Sequence, residues 1–490
     1  MKSIAIIFFT LISVALLAQQ PTYTRIFSGP SYDEGIAAFR LPNKEIRLIG
    51  NTGSFGHGGT DVWLIALDSN GVFLWQKFYG GPNVEQVKSA VMTPQGDIFM
   101  VGSTTQNSYG SYQVYFLGLD QYGQIIAYNN YGGGDWDFGY DICQISDTTF
   151  ALVGETYSSG AGQSDVYLLK VNRQGILRWK KTYGGLLEDR GNSIKLLPDG
   201  GFLIAGASKS FGNTTFDSYL LRLNSVGDTL WTNVLPRITD AEFLSVALDS
   251  DTSIVCSGYR KDTLDTYRES DLMKFNLNGT VIWSRYLSLI EGADCYATSL
   301  IVGDNKTLVY TGITTKFATS NFTNAKVSQL DSNGWYNNAK SIGDINEDIG
   351  NAVSVDNFHG KHYFLIGTTK SYDVSRSGVF FVRLDSNLNY DTTRIVTTPT
   401  SIISQNYSVE EIDIYPNPVK DILNVELPSV NENLYLSVIN MTGKVVFQTV
   451  IESNSQHFEV PTQAFAAGVY HIRIYSQKRL FQSRFIKVAF

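Results

Sequence analysis

Cysteine is scarce: Cys143, Cys256 and Cys295 are the only three in 490 residues, too few for a dense disulfide framework even in an exported chain. Buried free thiols are expected, with a Cys256–Cys295 bridge as the alternative that spacing leaves open. Charge is sparse too, at 17% of residues, and the formal net charge of −8 comes without a basic stripe. Nucleic acid and anionic membrane are therefore not expected as main partners, because either needs clustered Lys and Arg against its phosphates. Long amphipathic helical periods are hard to find, and there is neither a nucleophile elbow nor a phosphate-binding loop. The "GHGG" block at 56–59 follows a strand pattern but opens no helix, and reads as a loop. One apolar run stands out, residues 4–17 of "MKSIAIIFFTLISVALLAQQ", behind one Lys and ahead of Ala18. It is too short for a transmembrane segment and reads as a signal peptide, 1–18, cut before Gln19. With no Cys at the cut, a lipid anchor is not expected there.

What the chain has is glycine and aromatic residues, 44 Gly, 28 Tyr and 28 Phe, the composition of short aromatic-rich strands joined by tight turns. It also repeats. A Gly closes an apolar triplet at Gly50, Gly102, Gly154, Gly206, Gly258, Gly312 and Gly367, so seven units recur every 52 residues four times and then at 54 and 55. In the unit running from Tyr183 to Val234, four short segments alternate with Gly, Pro, Asn or Asp turns, which is the pattern of four antiparallel strands. A four-stranded sheet cannot cover both of its own faces, whereas radial stacking of such sheets can. The spacing predicts an all-β protein with a seven-bladed β-propeller over 22–391.

Trp75, Trp179, Trp231 and Trp283 each lie four residues after a turn glycine, and Tyr23, Ala127 and Asn338 take the same place in other units. A flat side chain there would fill the gap between neighbouring blades, burying roughly 150–250 Å². Trp335 falls out of this register. The segment "TYTRIF" matches the last strand of a unit although it precedes the first, so 22–27 is expected to close the ring by joining the sheet built from residues 342–385. The hairpins "LDSNGVFLW" and "VNRQGILRW" resemble the tryptophan-docking repeat of quinoprotein propellers. That resemblance implies packing alone, since neither adjacent cysteines nor a distinctive calcium carboxylate set accompanies it. A sialidase-type Asp-box fits less well.

An acid recurs after the "YGG" position, at Asp33, Glu85, Asp137, Asp189, Glu242, Asp294 and Asp348. Seven carboxylates at one mouth could bind Ca²⁺ or work as acid and base on a sugar. A feature repeated in every unit is better explained as scaffold, each carboxylate accepting backbone N–H groups of its own loop. "DWDFGYD" at 135–141 has the alternating acids of a calcium loop without its distal Glu. His359 and His362 in "HGKH" lie in a predicted hairpin turn and lack a helical zinc spacing. No cofactor is expected, Ca²⁺ being the one metal the acids could suit.

A polar Thr/Ser-rich linker, 392–411, leads to a second domain, 412–490, whose alternating strands and "TGK" turn predict a small antiparallel β-sandwich. Tyr415, Pro416, Asn417 and Pro418, then "NMTGK" with Gly443 and Lys444, "AGVY" with Gly468 and Tyr470, and the closing Lys487 stand in order. These residues closely resemble the type A C-terminal sorting domain of the type IX secretion system of Bacteroidota. The resemblance implies export through the outer membrane, with the translocon and a sortase-like peptidase as partners, and a mature protein released or held at the outer cell surface. For the propeller, the expectation is a binding or scaffold role toward a glycan or protein ligand rather than catalysis. The alternative is a carbohydrate-active or other hydrolytic enzyme with its site in the funnel, and a quinone-dependent redox protein is the third reading.

Overall fold

The computed structural model describes residues 22–397 and 409–488, apart from 106–110, 213–214, 251, 262–266, 288–293, 316–322, 359, 373, 429–433, 441–444 and 476–479. The signal peptide, Gly443, Lys444 and His359 lie outside the described residues.

Strand β1 (Tyr23–Phe27) comes first, and the first blade follows as β2 (Asp33–Arg40), β3 (Ile46–Thr52), β4 (Asp61–Leu67) and β5 (Phe73–Tyr79). These four pair in sequence order as an antiparallel meander, and the same order repeats in five further four-stranded sheets. The seventh sheet takes Asp348–Asp356, His362–Thr369 and Gly378–Asp385 and then β1, whose Tyr23 pairs with Arg383 and Phe27 with Val379. The last blade is thus completed by the start of the chain, as the sequence pattern predicts. Arg394–Thr397 adds a further strand parallel to β1, so the predicted linker begins inside the propeller sheet. A backbone edge left by β1 accounts for this: residues 394–397 satisfy its free N–H and C=O groups.

The two inner strands of each blade are buried almost throughout, as in Ile46–Thr52 and Asp61–Leu67, because both faces of each sheet meet another sheet. The apolar clusters accordingly span neighbouring blades, one of them joining Phe99 and Phe116 of blade 2 to Phe150 and Tyr167 of blade 3. The tryptophan slot lies on the outermost strand. Trp231 donates from Nε1 to the Leu277 carbonyl and Trp283 to the Ser332 carbonyl, both at 3.2 Å, and a Cβ added at Gly279 would meet the Trp231 ring. Gly279 has φ of 86° and Gly334 of 80°, so the turn needs glycine twice over, for its backbone angle and for the indole pressed on it. The tyrosines of "YGG" add a second link that the sequence reading missed. Tyr79 donates to the Gly123 carbonyl at 2.7 Å and Tyr183 to the Gly227 carbonyl at 2.6 Å, each on the next blade's turn. Trp335, out of register, is 60% exposed under the Arg285 guanidinium.

Cys143, Cys256 and Cys295 are free and buried, and burial pushes the Cys143 thiol up to about 12. Among the described residues no helix is long and apolar enough to cross a membrane.

The second domain has a five-stranded sheet holding Leu434–Asn440, Val445–Ile451, Gly468–Tyr475 and Leu480–Lys487, and a three-stranded sheet of Ile414–Tyr415, Ile422–Glu426 and His457–Pro461. Leu423, Val425 and Val460 of the small sheet pack with Leu436, Ile472 and Phe485 of the large one, which makes a sandwich. One pairing departs from the antiparallel expectation. Val409–Glu411, assigned to the linker by its composition, runs parallel to the strand Leu480–Lys487.

Candidate functional site

The acidic slot divides in two. Asp33, Glu85, Asp137, Asp189 and Asp348 each begin the innermost strand of a blade. Their carboxylates turn back on their own loops. Asp33 accepts from the Gly29 N–H at 2.7 Å, Thr52 at 2.6 Å and Ser54 at 2.8 Å. Glu85 accepts from the Gly81 N–H and Thr104, Asp137 from the Gly133 N–H, Thr156 and Ser158, Asp189 from the Gly185 N–H and Ser210, and Asp348 from the Asp344 N–H, Thr369 and Ser371. Burial raises the carboxyls of Asp33, Glu85 and Asp348, partly offset by these bonds. The five act as loop staples.

Glu242 and Asp294 do not belong to that set. Ala241 and Cys295 hold the first strand position in blades 5 and 6, where the pairings Ala241↔Arg260 and Cys295↔Thr314 match Asp33↔Thr52. A one-residue offset reverses the direction of a strand side chain, so these two acids point with the residues that alternate with the staples. The acids of "DWDFGYD" are likewise spread along the extended strand Asp137–Ser146 and the loop before it rather than gathered at one point. Asp141 joins Ser89 of blade 2 at 2.7 Å to Ser193 of blade 4 at 2.8 Å. Among the described residues no three His, Cys, Asp or Glu side chains converge into a metal cage. His362 is buried in a strand, its Nδ1 3.3 Å from the Gly360 carbonyl.

A β-bulge interrupts every innermost strand at one place, between Gly35 and Ala37 in blade 1 and at the matching register in the other six. The extra residue is Ile36, Lys88, Tyr140, Asn192, Leu244, Thr298 or Asn351, and all seven line a central cavity of about 830 Å³. Bulges re-aim a side chain out of the sheet pleat, and here they supply the channel wall. The wall does not repeat. Glycine ahead of the bulge at 35, 139, 191 and 350 is the sequence signal that could have located it.

From the bulge toward the loop face, alternate residues differ sharply between blades. Blade 3 presents Trp136, Phe138 and Tyr140, with Phe138 and Tyr140 stacked at 6.3 Å, Trp136 6.3 Å from Phe138, and Tyr112 and Tyr157 beside them. Blade 4 presents Glu188, Arg190 and Asn192. The Arg190 guanidinium grips Glu242 of blade 5 through Nε at 3.0 Å and Nη2 at 2.6 Å, while Asn192 at 2.9 Å and Tyr259 at 2.7 Å complete the carboxylate's shell. Burial lowers the affinity of Arg190 for its proton, but the charge and hydrogen bonds of Glu242 outweigh it and the guanidinium titrates above its ordinary value. Tyr140 donates to Glu155 at 2.9 Å, and burial together with that carboxylate raises the phenol. Tyr259 then meets Tyr296 of blade 6 at 6.0 Å, with Arg268 over both rings. These groups form a belt from blade 3 to blade 6, with the charge of Glu155 reaching Arg190 between the first two of these blades.

In the second domain the described sorting-motif residues gather at one end. Asn417 accepts from the Ile486 N–H and donates to the Arg484 carbonyl, both at 2.9 Å, and Lys487 is 2% exposed with its ammonium on the Lys420 and Val488 carbonyls. Tyr470 stacks on Phe485 and donates to the Ala466 carbonyl. Gly468 begins its strand opposite Lys487, with open space where a side chain would be. Tyr415, Pro416, Asn417 and Pro418 are exposed.

The chain is thus an all-β protein built as a β-propeller with a terminal β-sandwich. Residues 413–488 match the secretion system C-terminal sorting domain. The protein is a propeller sorted by type IX secretion to the cell surface or extracellular space, and its tail interacts with that machinery. Among curated proteins it is 26% identical over 139 residues to "Regulatory protein FlaEY" of Caulobacter vibrioides, a match that takes in 25% of this chain and 15% of that protein's length. Similar solved structures include the Pan2 WD40 domain of Neurospora crassa, with TM-score 0.41, 8% identity, and coverage of 74% of this chain and 89% of that one. The β-propeller domain of the Trilobed protease from Pyrococcus furiosus has TM-score 0.39 and 10% identity, covering 76% of this chain and 97% of that one.

Proposed function

We propose that the protein is an extracellular binding protein whose ligand site is the loop-face belt of blades 3 to 6, and that Tyr415–Pro418 form the surface read during export. The observation that carries the first reading is asymmetry: blades that share their bulges and turn glycines diverge where the belt lies. Seven copies of a residue serve a scaffold, whereas a patch confined to neighbouring blades serves recognition. A binding role fits the state of the acids better than hydrolysis. Glu242 already accepts four hydrogen bonds, from Arg190 twice, Asn192 and Tyr259, filling the acceptor capacity of a carboxylate and leaving no lone pair for proton transfer.

Fluorescently labelled full-length protein, titrated onto outer-membrane and extracellular polymer preparations of the producing cells, should bind saturably. Arg190→Gln should weaken that binding about tenfold. A panel of chromogenic glycosides and esters should show no turnover. Turnover abolished by Glu242→Gln would replace this reading with the hydrolytic one, and linear, unsaturable binding would defeat it.

A further inference from the structure

We infer that the belt takes a neutral oligosaccharide, with Trp136, Phe138 and Tyr140 as its stacking wall; this rests on the binding role proposed above. The wall is a consequence of strand geometry. Trp136, Phe138 and Tyr140 alternate with the buried Asp137 and Gly139, and a two-residue step along a strand is about 6.6 Å, close to the 6.3 Å between successive rings. Trp136 is 52% exposed and Tyr157 beside it 37%, large fractions for side chains that normally bury most of their area. The wall leads from this rim to Tyr140 at the central cavity of about 830 Å³, a volume within the range of small-ligand sites.

Three properties select the ligand. First, ring faces carry negative quadrupole charge and attract the C–H hydrogens of a flat, partly apolar ring, which a pyranose offers on one side. Second, three charge pairs beside the wall are already formed, Glu188 with Lys209 at 2.5 Å, Arg190 with Glu242 at 2.6 Å, and Asp240 with Lys261 at 3.3 Å, and Glu155 is held by the Tyr140 and Ser164 hydroxyls. A charged ligand engaging these side chains would compete with those pairs, while a neutral one leaves them whole. Third, Asp135, Glu188 and Asn192 stand beside the rings as hydrogen-bonding groups that keep solvent contact, and a purely apolar ligand covering them would strip their water without replacing it. A molecule with C–H faces and hydroxyl edges satisfies all three.

The test is an array of neutral linear gluco-, manno- and xylo-oligosaccharides, with sialylated and sulfated oligosaccharides and an apolar peptide as controls, probed with the full-length protein. Neutral oligosaccharides should bind saturably. Trp136→Ala should weaken them about tenfold or more and Trp136→Phe by about threefold or less, since a flat ring remains. Leu186→Ala, exposed on the same face but outside the belt, should change nothing. Melting should fall by no more than a few degrees in any variant, because Trp136 is half exposed. Binding of the charged oligosaccharides or the peptide alone, or neutral binding indifferent to Trp136→Ala, would overturn the inference. So would silence across the array; Arg190-dependent binding to cell-envelope preparations would then leave the broader binding role standing.

Discussion

Arg40 of the first blade and Asp356 of the seventh meet across the seam of the ring, the guanidinium placing Nε 2.6 Å and Nη2 2.8 Å from the two carboxylate oxygens. Arg383, fully buried, holds the same carboxylate at 2.8 Å from the other side. Burial alone would raise Asp356, but its hydrogen bonds to Arg40 and Arg383 and their charges hold it below the usual carboxylate range. Asp356→Ala leaves two guanidinium groups uncompensated in the interior and should destabilise the protein by about 3–5 kcal/mol, read by urea denaturation. A loss under about 1 kcal/mol would show that the seam does not depend on this triad.

Removal of residues 22–27 takes Ile26 and Phe27, both fully buried, out of the seventh sheet and strips Arg394–Thr397 of its partner. Melting should fall by about 10 °C or more. Unchanged melting would mean that the ring closes without β1.

The five stapling acids predict a dissociation between mutation and metal. Asp33→Ala frees the Gly29 N–H and the Thr52 and Ser54 hydroxyls and should cost about 2–4 kcal/mol. Added Ca²⁺ or EDTA should leave the melting temperature where it is. A calcium-dependent rise of several degrees would assign the slot to a bound ion instead.

Asp271 should give the propeller an acid-favouring slope. It sits opposite Gly258, where blades 1 to 4 carry Trp63, Tyr115, Tyr167 and Tyr219, and burial raises its carboxyl to about 6 against the opposing charges of Arg237 and Arg260. A carboxyl raised on folding binds its proton more tightly in the native state, so the stability it contributes is full below about 4 and is lost as pH rises through about 6. Relative to the parent, Asp271→Asn should therefore gain on the order of 3 kcal/mol between pH 4 and pH 7, measured from denaturation curves at both. A difference that stays constant with pH would contradict the raised value.

Much of this was open to reading in one dimension. The glycine period, the four-segment unit and the tryptophan slot all express contacts that recur with the repeat, so each copy reinforces the pattern. The displaced strand was legible for the same reason, since "TYTRIF" had to pair with something. The belt was not. In one dimension the stretch around Trp136 and Tyr140 has the form of alternating acids, Asp135, Asp137 and Asp141, and nothing in that pattern marks the aromatic residues between them. Glu242 and Asp294 looked like members of the acidic slot because a one-residue shift is invisible in a list of intervals yet turns a strand side chain to the other face.

The sequence by itself determined the architecture and the destination: seven sheets, their closure and the sorting tail follow from local patterns whose partners are either the next repeat or a contiguous motif. Only the tertiary structure decided which residues share the channel mouth. Tyr140 and Thr298 belong to different repeats, and their common place on the cavity wall arises from bulges, register and the curvature of the ring, which bring together side chains more than a hundred residues apart. Asymmetry of that kind leaves no period to detect, because it consists of the positions at which the repeat is broken.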